Sequence, residues 1–204
     1  TANPLDQIEG YKTYSLFVDI DNDGDYDAFI SGDDVAPFSY YKNIGTANNP
    51  VLDLQPGSNN PFEEYDWYYI NASFADFDND SDFDLIAGDY YGKIHYFENI
   101  GDSSNPVFTK LADDDNPLGW ADGGYNASVS SSDIDGDGDV DVFTGNFFGD
   151  FRFFKNSLVT GLSNPNWTEK NIKLFPNPVA SNQQIQLQLT DFEGKVSISI
   201  LDIL

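Results

Sequence analysis

Residues 76–84 read DFDNDSDFD, five carboxylates in nine positions with every second residue an aspartate. Like charges this close repel one another at neutral pH, so the stretch needs open solvent or a cation at its centre. The same pattern stands at 19–27 as DIDNDGDYD and at 133–141 as DIDGDGDVD, with starts separated by 57 and 57 residues. A fixed period of this size marks a chain built from one repeated supersecondary unit.

Other features keep the period. Asn-Pro followed by an apolar residue occurs at Pro4, Pro61 and Pro117; Gly32, Gly88 and Gly145 come after each aspartate run; SYYKNIG, HYFENIG and RFFKNSL come next, then NPVL and NPVF in the first two units. The apolar runs are short, rich in aromatic and β-branched residues, and bounded by Gly, Pro, Asn and Asp, which predicts strands. Strand A falls near 13–18, 71–75 and 128–132, and strand B near 28–31, 85–87 and 142–144. Strand C falls near 39–42, 94–97 and 151–154, and strand D near 51–54 and 107–110. In the third unit SLVTGLSNPNW replaces the expected strand D. The expected fold is all-β, a partial β-propeller of about three four-stranded blades over 1–57, 58–113 and 114–157. Residues 158–171 read as a linker, and 172–204 as the first strands of a small β-sandwich. A closed propeller needs at least four blades, so either further blades before Thr1 or a fragment of a longer chain is expected.

The aspartate runs point to metal. Calcium takes six to eight oxygen ligands in flexible geometry, and alternate side chains of a tight loop can converge while position 7 offers its carbonyl. The expected ligand sets are Asp19, Asp21, Asp23 and Asp27 with the carbonyl of Asp25; Asp76, Asp78, Asp80 and Asp84 with that of Asp82; and Asp133, Asp135, Asp137 and Asp141 with that of Asp139. Three calcium ions are therefore expected, one per loop. An EF-hand would need glutamate at position 12, where Ile30, Ala87 and Thr144 stand instead. Magnesium would demand tighter octahedral geometry. Gly24 and Gly138 fill position 6, where a sharp turn favours positive φ, but the middle loop has Ser81, which predicts the weakest loop of the three or a different bend.

With 35 acidic against 9 basic residues the formal charge is −26, which repels nucleic acid and anionic lipid. The 17 Phe, 12 Tyr and 3 Trp argue for a folded chain rather than an acidic disordered one. There is no Cys, so thiolate sites and disulfides are excluded, and no apolar run is long enough for a membrane-spanning helix. TANPLDQIEG has neither a charged n-region nor an apolar h-region. His95 is the sole histidine and no nucleophile-elbow motif is present, so enzyme activity is not expected. NAS at Asn71 and Asn126 and NWT at Asn166 match the glycosylation acceptor pattern.

Antiparallel strands alternate ends, so the aspartate loops lie on one face and the loops before A and between B and C on the other. That second face is expected to carry a ligand surface of Tyr65, Trp67, Tyr68 and Trp120, with Tyr90, Tyr91, Phe147 and Phe148 beside it. Aromatic faces suit sugar stacking and protein interfaces.

The loop, set between one strand and an apolar strand ending in Gly, resembles the FG-GAP or VCBS repeat family, whose members include the calcium-loop blades of integrin α-subunit propellers. The resemblance covers residues 1 to about 157 and implies a propeller with one calcium per loop. NIKLFPNPVASNQQIQLQL, with Phe175, Pro176, Asn177, Pro178 and Val179 ahead of the alternating Ile185, Leu187 and Leu189 and of Val196, Ile198 and Ile200, is similar to the start of a type IX secretion C-terminal sorting domain. That likeness implies export by an outer-membrane machine and a secreted or cell-surface protein. The function expected from both is a calcium-binding module for adhesion or for glycan or protein recognition. The alternative is a non-catalytic or partial region of a secreted polysaccharide-degrading enzyme.

Overall fold

The computed structural model describes residues 11–33, 38–65, 69–157, 167–170, 172–175 and 186–189. It is an all-β chain in which three four-stranded antiparallel meanders succeed one another. The first comprises β1 (Tyr11–Val18), β2 (Asp27–Asp33), β3 (Ser39–Asn43) and β4 (Leu52–Leu54); the second β5 (Asn71–Ala75), β6 (Asp84–Gly88), β7 (Ile94–Asn99) and β8 (Phe108–Lys110). The third comprises β9 (Ser128–Ser132), β10 (Asp141–Gly145), β11 (Phe151–Asn156) and β12 (Trp167–Lys170). Among the described residues the only helical piece is one 3-10 turn, Gly57–Asn59.

The third meander therefore does have a fourth strand, correcting the expectation that placed Trp167–Lys170 in a linker. Its register repeats that of the others: Asn43 pairs with Leu52, Asn99 with Phe108, and Asn156 with Trp167. The cue was hidden because the sequence before it lacks the turn residues of the other two units. In the first two units the Asn43 Oδ1 accepts from Gly45 N and Val51 N at 3.0 and 2.9 Å, and Asn99 Oδ1 does the same for Gly101 N and Val107 N at 3.0 and 2.8 Å. A Cβ on Gly45 or Gly101 would lie 2.4 or 2.3 Å from the Asn49 or Asn105 carbonyl oxygen. The third unit has Leu158 in that place, and ten residues rather than eight separate Asn156 from Trp167; residues 158–166 lie outside the described ones.

The sheets stack through two cores. Val18, Ile20, Phe29, Phe38 and Tyr40 of the first unit meet Phe62, Ile70, Leu85, Ala87 and Phe97. Phe77, Ile86, Ile94 and Tyr96 on the other side of the second sheet meet Leu118, Ala127, Val129, Val142 and Phe154 of the third. Strand alternation explains this double use: Leu85 and Ala87 turn one way and Ile86 the other, so β6 is buried throughout. The Asn-Pro motifs latch the stack. Asn60 Nδ2 donates to Phe38 O at 3.1 Å and Asn116 Nδ2 to Ile94 O at 2.9 Å, while their Oδ1 atoms accept from Phe62 N and Leu118 N. Pro4 of the same motif lies outside the described residues. Serine and asparagine side chains join the second and third sheets along β5 and β9, Ser73 Oγ to Ser131 Oγ at 2.7 Å and Val129 N to Asn71 Oδ1 at 2.9 Å.

In the C-terminal segment, β13 (Ile172–Phe175) pairs antiparallel with β14 (Gln186–Leu189), Ile172 opposite Leu189. The remainder of 172–204, including Pro176 to Ile185 and the alternating Val196, Ile198 and Ile200, lies outside the described residues.

Candidate metal centres and the opposite face

Each aspartate run is the connection between the first two strands of its sheet, at one common end of the stack. The first aspartate organises the loop. Asp19 accepts from Asp23 N and Gly24 N at 3.0 and 3.1 Å, Asp76 from Asp80 N and Ser81 N at 3.1 and 3.0 Å, and Asp133 from Gly136 N and Gly138 N at 2.7 and 3.1 Å. The bend requires positive φ at position 6, and Gly24, Ser81 and Gly138 adopt 95°, 81° and 97°. Ser81 thus takes the same bend as the glycines rather than a different one, against a left-handed cost of about 1–2 kcal/mol.

One carboxylate oxygen from each of Asp19, Asp21 and Asp23 lies within 4.8 Å of the others; the same holds for Asp76, Asp78 and Asp80, and for Asp133, Asp135 and Asp141. The last aspartate of the first two runs has another task. Asp27 and Asp84 open β2 and β6 and are almost wholly buried. Asp27 accepts from Tyr40 Oη at 2.8 Å and Asn43 N at 2.6 Å, and Asp84 from Tyr96 Oη at 2.7 Å and Asn99 N at 2.8 Å. These two are struts from the second strand to the third. Asp141, equally buried, accepts from Asn156 N at 2.8 Å and Ile134 N at 3.2 Å, and Phe153 stands where the tyrosine hydroxyl would be. Asp137 instead faces Lys155, and Asp139 Oδ1 accepts from Asn79 Nδ2 at 2.9 Å, tying the third loop to the second.

Four carboxylate oxygens in these loops are shielded from solvent without a hydrogen-bond donor: Asp21 Oδ1, Asp25 Oδ1, Asp82 Oδ1 and Asp135 Oδ1. Asp82 is only 7% exposed, and the Asp135 side chain 5%. Buried anionic oxygens are costly unless something positive faces them. The energetic signature is strongest in the middle loop: burial, reinforced by neighbouring carboxylates, pushes Asp78 and Asp82 up to about 6, and burial pushes Asp84 up to about 7. Burial also raises Asp141 to about 6. These donor sets are all-oxygen, anionic and partly dehydrated, which suits a hard divalent cation such as calcium.

No family model matches the chain, and no curated protein matches it.

Lysines that the sequence reading left out also reach these sites. Lys42 Nζ is bonded to Asp21 Oδ2, and Lys155 Nζ to Asp135 Oδ2 and, at 2.8 Å, Asp137 Oδ2. The sequence signal was the KN, EN, KN series inside SYYKNIG, HYFENIG and RFFKNSL, whose charge varies while the asparagine stays.

The opposite end differs from expectation in which rings it joins. Tyr65 packs into the first core, 5.0 Å from Phe97 and beneath Lys110 Nζ, while Trp120 lies 5.9 Å from Phe154 of the third sheet. Trp67 and Tyr68 lie outside the described residues. A contiguous shelf forms from Tyr69, Tyr90, Tyr91, Tyr125, Phe147 and Phe148. Tyr69 stacks on Tyr90 at 5.4 Å, and Tyr125 meets Tyr90 at 4.6 Å, Phe147 at 5.8 Å and Phe148 at 6.1 Å. Tyr91, Phe147 and Phe148 are 76%, 71% and 74% exposed. Tyr125 links the Tyr90–Tyr91 pair to the Phe147–Phe148 pair, and Tyr69 and Tyr125 are the members the sequence did not suggest.

His95 is buried in β7 with Nε2 2.9 Å from Asp89 Oδ2. Burial works against the Asp89 carboxylate, yet His95 and the amides of Lys93 and Tyr91 hold it below its usual range. Asp89 closes the β6–β7 turn through those amides, a structural task for both residues.

Proposed function

We propose that this chain is a calcium-stabilised β-propeller module of the FG-GAP or VCBS type, working at the cell surface or outside the cell in adhesion or glycan recognition. The observation that carries the reading is the set of buried carboxylate oxygens without donors, recurring in loops at one end of three sheets. In the first loop Asp19, Asp21 and Asp23 would hold the ion, in the second Asp76, Asp78 and Asp80, and in the third Asp133, Asp135 and Asp141. The bound charge would neutralise the cluster and lock the connection between the first two strands. Three divalent ions would move the formal charge from −26 to −20.

Sheets stacked in chain order, each sharing a core with the next, support the propeller reading. The aromatic shelf supports recognition, because exposed rings offer apolar faces for sugar rings or protein side chains. Export through an outer-membrane machine rests on the likeness of residues 172–204 to a sorting domain.

Thermal unfolding tests the metal reading. At ~1 mM calcium and a site affinity of ~10 μM, each loop gains about 2.7 kcal/mol, so removing calcium should lower Tm by many degrees. An unchanged melt in excess chelator refutes it. For recognition, a glycan array should show calcium-tolerant binding that Tyr91→Ala with Phe148→Ala abolishes; binding indifferent to both substitutions removes the shelf from the site.

A further inference from the structure

The three loops share a backbone plan but differ in the residue that the third strand of each sheet sends toward them. Lys42, Glu98 and Lys155 occupy one register position, immediately before the asparagine that recurs in each unit and opposite Asp53, Thr109 and Thr168 on the fourth strand. Lys42 is bonded to Asp21 of the first cluster. Lys155 bridges Asp135 and Asp137 of the third, and the Asp135 side chain it meets is almost fully buried. Glu98 is half-buried at that position, and its charge acts on Asp78, so it adds a sixth carboxylate to the middle loop. With five aspartates each, the outer loops carry a formal −4 once their lysine is counted, and the middle loop −6 once Glu98 is counted.

We propose that the loops are graded in their demand for a divalent cation: Lys42 and Lys155 act as resident counter-cations of the first and third loops, and Glu98 makes the middle loop the high-affinity site. This rests on the reading of the loops as cation sites. An ion entering an outer loop must displace an ammonium from Asp21, or from Asp135 and Asp137, and then sits beside its charge. All three loops hold a buried carboxylate oxygen without a donor, Asp82 Oδ1 in the middle one, but in the middle loop no lysine stands at that position. Loss of calcium would then empty the outer loops first, where the lysine takes over, and the middle loop last.

The test is a calcium titration of the full chain, stripped of metal, monitored by amide NMR and calorimetry. The amides of Asp80 and Ser81 should respond at calcium concentrations about tenfold or more below those that move Asp23 and Gly24 or Gly138 and Asp139. Glu98→Lys should weaken the middle site about tenfold or more, and Lys42→Glu with Lys155→Glu should bring the outer sites close to it. If all three loops respond together, or the middle one last, the grading is wrong while the calcium reading stands. If no loop responds, the calcium reading itself falls. The titration of the unsubstituted chain decides the order even if a variant fails to fold.

Discussion

The second and third units are built on one plan, yet among the described residues the second sheet is covered on both faces and the outer face of the third only in part. Ile86 in β6 is fully buried against Leu118, Ala127 and Val129 of the next unit. Phe143 stands at the same position of β10, 57 residues on. It stacks on Phe153 at 4.9 Å, lies tilted against Phe151 at 5.7 Å, and remains partly exposed, with Phe151 38% exposed beside it. The difference teaches that a unit's sequence specifies its sheet, while the burial of that sheet's outer face is decided by the neighbouring unit packed on it. Truncation should separate the two positions clearly. Ile86→Ala should cost about 3–4 kcal/mol in urea unfolding, through lost transfer energy plus the cavity left between two sheets. Phe143→Ala should cost only about 1–2 kcal/mol, since less area leaves water in the first place. Equal costs would mean that the open face of the third sheet is covered in solution.

The loops give the next largest contrast. Asp78, Asp82 and Asp84 of the middle unit are pushed up to about 6, 6 and 7, whereas in the third unit only Asp141 is raised comparably, and Lys155 with the Asp139 amide holds Asp137 down against its burial. A carboxyl whose folded pKa exceeds its unfolded value near 4 binds its proton more tightly folded than unfolded. The metal-free fold should therefore gain stability as pH falls from about 7 to 4, and lose it as pH rises back. Calcium reverses the trend, because protons compete with it for the same oxygens. Melts in calcium-free buffer at pH 5 and pH 7.5, repeated with calcium, check both signs. A calcium-free protein that is less stable at pH 5 would show that the middle cluster is already neutralised.

Much of this was legible in the sequence. The aspartate period located the three units, and strands A to C fall within a few residues of their predicted positions, because short apolar runs between Asp, Gly and Asn leave little choice of register. The fourth strand of the third unit was hidden by the loss of the Gly45 and Gly101 equivalent. The double role of the aspartate run was not legible at all: period-2 spacing puts positions 1 and 9 in one formal series, but position 9 opens a strand, and its burial as a strut depends on Tyr40, Tyr96 and two asparagine amides from another strand. The lysine and glutamate series was visible as letters, and only the fold brings it to the loops. That series also changes the expected rank of the Ser81 loop. A unit charge at about 5 Å is worth about 3 kcal/mol at an effective dielectric near 20, and Lys against Glu is a difference of two charges, so charge outweighs a left-handed serine.

The struts distinguish the units more finely. Tyr96→Phe leaves Asp84 Oδ2 without its hydroxyl and should cost about 1–2 kcal/mol, as should Tyr40→Phe at Asp27. The third unit already has Phe153, and its Asp141 takes the Ile134 amide instead. Phe153→Tyr should therefore gain nothing. Urea unfolding of the three variants measures this, and a stabilising Phe153→Tyr would show that the Ile134 bond is no substitute for the hydroxyl.

The smallest expected effect isolates the bend itself. A Cβ at Gly24 or Gly138 would meet nothing within 4 Å, so position 6 has no packing demand and only its φ matters. Ser81→Gly removes the left-handed cost of about 1–2 kcal/mol, but glycine also gives the unfolded chain more freedom, worth about 0.4–1 kcal/mol in the other direction. The net gain should be about 0.5–1 kcal/mol, present with and without calcium, and Gly24→Ser and Gly138→Ser should lose a similar amount. Denaturant melts of the three variants at saturating calcium and in chelator read it out. A gain for Ser81→Gly confined to the calcium-bound state would mean that the serine restrains the ion site and not the bend alone, since backbone strain already present in the metal-free loop is relieved equally in both states.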